Sequence, residues 1–301
     1  MITKRILSVV TNGLIMLSFV SFMVSCGESE QPMTVEEKEN EELKKVTVEQ
    51  MMYSIPSPIE TALMLQRVGA KFDKDILNKT ENVDKYSTIH SRALNLGIYG
   101  SDLSYAVTFN KTQEAMLYLK TAKKISDAIG IGNAFGVSSV ERMEANLKNK
   151  DSLQTIISDS FWEVDAYLKE NDRATVAALI LAGGWIEGLY IAIKIEENLR
   201  KNKSNKEILT RIADQKITLE SLISFLGTYP PDEAIKNVLV ELNQLKTIFD
   251  AIQFVDSDSS ATASPNSKVS TVGVTTTATV TEAQIDNIAT KIIEIRNRII
   301  G

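Results

Sequence analysis

Long stretches of this 301-residue chain repeat apolar residues at intervals of three and four, and this pattern constrains the fold more than any other feature. Such spacing puts the apolar side chains on one face of an α-helix and predicts that this face is buried. The clearest stripes are Ala115, Leu119, Ala122, Ile125 and Ile129; Leu153, Ile157, Phe161, Val164 and Leu168; Ile208, Ile212, Leu219, Leu222 and Leu226; and Ile235, Leu239, Leu242, Phe249 and Ile252. The sequence therefore predicts an all-α fold, either a multi-helix bundle or an irregular array of α-hairpins.

Capping signals and composition predict the limits of the helical part. Ser57, Pro58 and Glu60 form a helix start, and Gly69 is the expected stop. We expect a helical domain over residues 46–254. The stretch 255–280 is rich in Ser and Thr, which predicts a flexible linker or a β-hairpin. Residues 281–301 form a last amphipathic helix, expected to dock on the core because an isolated helix of this length is marginal in water.

The N-terminus predicts export and lipid attachment. Lys4 and Arg5 precede an apolar run over residues 6–24, which is typical of a secretory signal, although the run is nearly long enough for an uncleaved membrane anchor. The run ends in Met-Val-Ser-Cys, with Cys26 as the single cysteine of the chain. This ending resembles the lipobox of bacterial lipoproteins, in which the cysteine thiol receives a diacylglycerol group. We therefore expect a signal peptide over residues 1–25 and a lipidated Cys26 that attaches the protein to the membrane.

The charge balance excludes some classes of partner. Residues 26–45 are dense in glutamate and predict a solvated tether. Removing residues 1–25 takes away two basic residues and no acidic one, so the net charge shifts from −6 to −8. An acidic chain of this kind is not expected to bind nucleic acid or an anionic lipid surface.

The most apolar stretch after the signal is 174–193, which holds Glu187 and three glycines. It could span a membrane, but a charge in lipid is costly, so we expect a buried central helix. Residues 93–105 align without gaps on 178–190, placing Asp102 on Glu187 and Tyr105 on Tyr190. One hypothesis is that two related hairpins bring these four side chains together, with Tyr99 and Trp185 as stacking surfaces for a polar ligand. The alternative is a chance similarity between apolar helices.

A resemblance to a known family rests on three blocks: YSIPSPIETALMLQRVGAKFDKDILN, NVDKYSTIHSRALNLGIYGSDLSYAVTFNKTQEAMLYL and LAGGWIEGLYIA. With the lipobox, they resemble a family of exported Gram-negative bacterial lipoproteins to which no activity is assigned. The resemblance implies a cell-envelope location and a helical body. The segment LNLGIYGSDLSYAV is also weakly similar to the first helix of a tetratricopeptide repeat.

The chain has few residues of the kinds used in catalysis, and we expect that it is not an enzyme. His90 is the single histidine, so no histidine cluster for a metal can form, and no cofactor is expected. Three function classes remain open. The first is a lipid-anchored scaffold, more probable at the outer membrane than the inner, whose helical body docks on an envelope protein. The others are a small-molecule or glycan binder near Asp102 and Glu187, and a cell-wall lytic enzyme using Glu220.

Overall fold

Nine α-helices, one short 3₁₀-helix (Thr80–Lys85) and two strands make up the part of the chain that can be described. The computed structural model describes residues 50–51, 54–133, 137–201, 206–230, 232–257 and 275–301, so the predicted signal and tether lie outside the described residues. The helices are α1 (Pro58–Arg67), α2 (Ile89–Thr108), α3 (Thr112–Ala128), α4 (Val137–Ala145), α5 (Lys150–Glu170), α6 (Ala174–Arg200), α7 (Lys206–Gly227), α8 (Glu233–Phe249) and α9 (Glu282–Ile300). The prediction of an all-α, multi-helix fold is confirmed.

Side-chain caps fix several helix ends where the sequence predicted them. The Ser57 hydroxyl accepts a hydrogen bond from the Glu60 amide, and the Glu60 carboxylate accepts one from the Ser57 amide. Thr281 and Gln284 form the same reciprocal box at the start of α9. Each box satisfies two amides that have no partner inside the helix. Gly69, just after α1, has a φ of +84°, a conformation that glycine adopts without strain.

The two strands overlap the segment 255–280, for which the sequence left a linker or a hairpin open. β1 (Gln253–Ser257) pairs antiparallel with β2 (Thr275–Thr279), with Gln253 opposite Thr279. The pair precedes α9, and the residues between the strands lie outside the described part. β2 lies in the Val- and Thr-rich part where a strand was predicted, whereas β1 begins at Gln253, two residues before the segment and inside the predicted helical domain.

Helix α6 is the central element of the core. It contacts α1, α2, α5, α7, α8 and α9, and its most extensive contact is with α2. Within the described ranges it is the one helix long and apolar enough to cross a membrane, but 94% of its apolar window is buried inside the protein. A core helix passes the same test of length and composition, and this burial supports the interpretation of 174–193 as a central core helix.

Two glycines let α2 and α6 approach until their backbones touch. A Cβ atom on Gly97 would lie 2.0 Å from the Ile180 carbonyl oxygen, and one on Gly183 would lie 2.0 Å from that of Leu94. A third contact joins the helices nearby, where the Ser101 hydroxyl donates to the Gly184 carbonyl. The glycines that cost helix propensity therefore allow this close approach.

Helix α9 docks on the core as the sequence predicted. Its isoleucines at 285, 288, 292 and 295 are buried. Arg200 at the end of α6 donates to Asp286 at 2.7 Å, and Lys291 of α9 donates to Glu241 of α8 at 2.7 Å. These contacts fix the position of α9 and bring Arg296 against the interface of α2 and α6.

Candidate functional site

The acid pair predicted from the internal similarity lies together in the core. Asp102 of α2 and Glu187 of α6 have no exposed surface, and they lie close enough for Glu187 to affect the pKa of Asp102. The close packing of α2 against α6 brings the two acids together, because Asp102 follows Gly97 by five residues and Glu187 follows Gly183 by four. The hypothesis that these two carboxyl groups converge is consistent with this geometry.

Arg296 of α9 provides the basic partner that a buried acid requires. Its Nε lies 2.7 Å from Oε2 of Glu187 and its Nη2 lies 2.8 Å from Oε1, a two-point ion pair. The guanidinium also lies over the Tyr190 ring at 4.0 Å and donates to the Ile76 carbonyl at 3.2 Å. Burial by itself lowers the pKa of Arg296, but the neighbouring acids have the larger combined effect and raise the pKa above its ordinary value. The side chain therefore stays charged.

Asp102 is the acid of the pair whose pKa is raised. Its Oδ2 accepts a hydrogen bond from the Asn78 amide at 3.2 Å, while its Oδ1 has no hydrogen-bond partner within the described residues. Burial, followed by the negative charge of Glu187, raises the pKa of Asp102 well above its ordinary value, although Arg296 opposes the shift. The cluster therefore contains one ion pair and a second carboxyl group whose surroundings favour the protonated form.

The other predicted ligand-binding residues lie in different surroundings. Tyr190 joins the cluster through its ring. Tyr99 is near it but donates its hydroxyl proton to the Lys79 carbonyl. Tyr105 lies apart, against Phe72, and its hydroxyl donates to the Lys71 carbonyl. Trp185 lies on another side of α6 and donates to the Thr218 hydroxyl at 3.0 Å. The six residues do not form one pocket.

The burial of the acid cluster determines what it can do. Because Asp102 and Glu187 are fully buried and Arg296 is 5% exposed, a ligand would reach them only if α9 moved away from α2 and α6. In this structure the cluster joins three helices that are far apart in the sequence. Its evident role is to fix their relative positions.

The raised pKa of Asp102 predicts that stability falls as pH rises. At pH values between the pKa of Asp102 in the unfolded chain, about 4, and its higher pKa in the folded protein, the folded protein binds more protons than the unfolded chain. The free energy of unfolding therefore falls by up to about 1.4 kcal/mol for each unit of rising pH. We expect Asp102→Asn, which stays neutral at every pH, to remove this contribution, as measured by urea unfolding across the pH range. Burial also raises the pKa values of Glu196 and Asp214, so the difference between variant and wild type is the informative quantity.

The matched control for this experiment is Asp84→Asn, at an exposed carboxylate. This variant should keep the wild-type dependence on pH. An Asp102→Asn curve parallel to the wild-type curve would show that folding does not raise the pKa of Asp102 and would contradict this prediction.

A second candidate site is an open groove of about 360 Å³ between the start of α1 and helices α5 and α6. Its apolar wall includes Ile59, Phe161, Ile180 and Trp185, and Trp162 stands at its rim with 47% of its surface exposed. Both tryptophans of the chain therefore line one groove. Trp162 was not among the predicted ligand-binding residues. A pattern in the sequence could have indicated it, because a large aromatic residue stands just outside the buried stripe of α5, where a charged side chain is more usual.

The remaining candidates for chemistry are engaged in surface contacts. Nε2 of His90 lies 3.6 Å from Oδ2 of Asp232, with both side chains partly exposed. Glu220 lies 3.4 Å from Nζ of Lys246 on the surface of α7. Among the residues that the structure describes, no group of three or more His, Cys, Asp or Glu side chains is arranged to hold a metal ion.

In the described part of the chain, the protein combines a helical fold, a buried ion pair in its core and an open apolar groove beside α1, α5 and α6. No protein-family model, curated protein or solved structure matches the chain. Its function must therefore be argued from its own residues.

Proposed function

We propose that this chain is a bacterial envelope lipoprotein, held at the outer membrane by lipid on Cys26, whose non-catalytic helical body binds a partner protein. The basic N-terminus, the apolar run and the Met-Val-Ser-Cys ending support lipid attachment. Two or three acyl chains would hold the protein firmly, because each buried methylene contributes about 0.8 kcal/mol. The tether of residues 26–45 would separate the helical body from the lipid headgroups.

The groove at Trp162 is the observation that carries the binding role. It opens at the start of α1, the first described helix after the tether in the sequence. Tryptophan is enriched among the residues that dominate binding energy at protein interfaces, especially where it lies beside an apolar recess. About half of Trp162 is exposed beside the apolar groove, and a partner that covered this surface would gain hydrophobic free energy.

The non-catalytic part of the proposal is supported by how the acids are used. Glu187 is neutralised by Arg296 in the core, and Glu220 lies in an exposed ion pair on an amphipathic helix. Glu187 is sealed in the core and Glu220 lies on the surface of its helix, so neither lies in an open cleft where a glycan could bind.

Small-molecule or glycan binding is a second candidate function, and the size of the groove favours it. About 360 Å³ lies in the range of small-ligand sites, which is roughly 300–1,000 Å³. This candidate places the ligand against Trp162 and Trp185, away from Asp102 and Glu187. Of the residues first proposed for the ligand, Trp185 is the one that lines the groove.

Site-specific photo-cross-linking in living cells tests both parts of the proposal. A benzoylphenylalanine placed at position 162, in the full chain with its native N-terminus, should form one dominant cross-linked protein band. The same probe at Val240, an apolar residue with similar exposure on α8, is the matched control and should not give that band. An alkyne-tagged fatty acid should label the wild-type protein, and Cys26→Ala should abolish labelling because no other cysteine is present.

Each outcome bears on a separate part of the proposal. Labelling that persists in Cys26→Ala, or is absent from the wild type, would contradict lipid attachment. A probe at 162 that captures no protein, in cells where the protein is abundant and folded, would contradict protein docking and favour a small ligand.

A further inference from the structure

We propose that the Trp162 groove binds a short amphipathic segment of the partner protein, with apolar residues on one face and lysine or arginine beside them. This inference rests on the proposed function, since it specifies the chemistry of the partner. Its basis is the charge, the lining and the open rim of the groove.

The lining of the groove requires an apolar occupant. Ile59 and Ile180 are buried beneath it, and the Trp185 ring, held by its hydrogen bond to Thr218, forms a fixed part of the wall. A small-molecule site encloses most of its ligand, whereas Trp162 at the rim is half exposed. An open groove with an aromatic rim suits a peptide that lies across it and inserts apolar side chains, as in helix-in-groove recognition.

The charges at the groove specify the polar part of the occupant. Glu60 and Asp165 line it, and none of the described lining residues is basic. Asp165 also contacts Lys169 at 2.7 Å, but this pair is partly exposed and therefore weak, so an incoming cation could compete for the carboxylate. Lysine or arginine would gain from both carboxylates, whereas a phosphate headgroup would be repelled by them.

The same charges argue against the protein's own segments as occupants. The tether of residues 26–45 is rich in glutamate and would meet two carboxylates at the groove. A second copy docking groove to groove would bring two acidic rims together, which is unfavourable. The occupant that fits is a segment of a different chain with the opposite charge.

Tryptophan fluorescence tests this inference directly, because both tryptophans of the chain line the groove. The full lipidated protein in phosphatidylcholine nanodiscs is titrated with a tryptophan-free helical Leu/Lys peptide and with a Leu/Glu peptide of the same pattern. The Leu/Lys peptide should shift the emission to shorter wavelength in a saturable way, and the Leu/Glu peptide should not. Asp165→Asn should weaken binding by about fivefold, the size expected for one partly exposed charge.

Asp159→Asn is the matched control, since Asp159 lies on the same helix but outside the groove lining, near Arg142. It should leave the affinity unchanged. Equal responses to both peptides, or equal affinities for Asp165→Asn and wild type, would overturn the inference. A similar shift with lysophosphatidylcholine would overturn it in favour of a lipid site. If the peptide fails while the probe at 162 still captures a protein in cells, the proposed docking function stands and only the basic character of the partner is wrong.

Discussion

Replacing Arg296 with methionine is expected to destabilise the protein by about 3–5 kcal/mol, because it leaves the Glu187 carboxylate buried without a countercharge. The guanidinium makes both hydrogen bonds to Glu187 and one to the Ile76 carbonyl, and it packs on the Tyr190 ring. The substitution also removes the ion pair that joins α9 to α6 at Glu187. The measurement is the free energy of unfolding in urea, taken from the midpoint and slope of the transition.

Two further variants separate charge from packing. Arg298→Met, two residues later on the same helix, changes an arginine that is 55% exposed and pairs with Glu241 and Glu294, and should cost less than about 1 kcal/mol. The double variant Glu187→Met/Arg296→Met should recover most of the loss, since a buried ion pair can be replaced by apolar side chains at little cost. If the double variant were as unstable as Arg296→Met alone, the unpaired charge would not be the cause.

Adding one methyl group at Gly183 should be strongly destabilising, whereas the same change at the next residue should not be. A Cβ at Gly183 would lie 2.0 Å from the Leu94 carbonyl oxygen, a backbone atom that cannot rotate away, so α2 and α6 would have to separate. Overpacking of this kind costs about 1–3 kcal/mol, and a rigid backbone contact lies at or above the upper end. The nearest atoms to a Cβ at Gly184 are 3.6 Å away, an ordinary contact, so Gly184→Ala should gain up to about 1 kcal/mol in helix propensity.

Thermal and urea unfolding of Gly183→Ala and Gly184→Ala in parallel make this comparison. Gly227→Ala at the end of α7 is a further control, because no atom lies within 4 Å of its added Cβ. Equal stabilities for the Gly183 and Gly184 variants would mean that the two helices are not held in backbone contact.

Much of the helical fold follows from local signals. The capping boxes at Ser57 and Thr281 join residues three positions apart, so their formation depends on neighbouring sequence alone. The stripe from Ala115 to Ile129 is buried as predicted, since 3.6-residue periodicity fixes which side chains share a face. The similarity between residues 93–105 and 178–190 also pointed to Asp102 and Glu187 as a pair, because the two acids occupy equivalent positions when the segments are aligned without gaps.

The candidate sites were less predictable because their parts come from distant elements. Trp162 and Trp185 belong to different helices, and Ile59 to a third, so no local pattern indicates that they line one groove. The six residues first proposed as a ligand site share similar helical surroundings in the sequence. In the folded protein these side chains lie in separate surroundings, because only one face of α2 contacts α6 and the residues on the other faces meet different elements.

Spacing and capping act within a few residues, so the amino-acid sequence alone predicts the helical class, most of the buried helix faces and some of the helix ends. It also holds the lipobox-like segment at Cys26 on which the proposed attachment rests. Which cation neutralises Glu187 depends on how the folded chain packs. Arg296 is 109 residues away along the chain, and although the periodicity of α9 places it on the buried face and Arg298 on the exposed face, no local pattern indicates that it meets Glu187. The reason is physical: a buried charge selects its partner by three-dimensional proximity, which exists only after α2, α6 and α9 have packed.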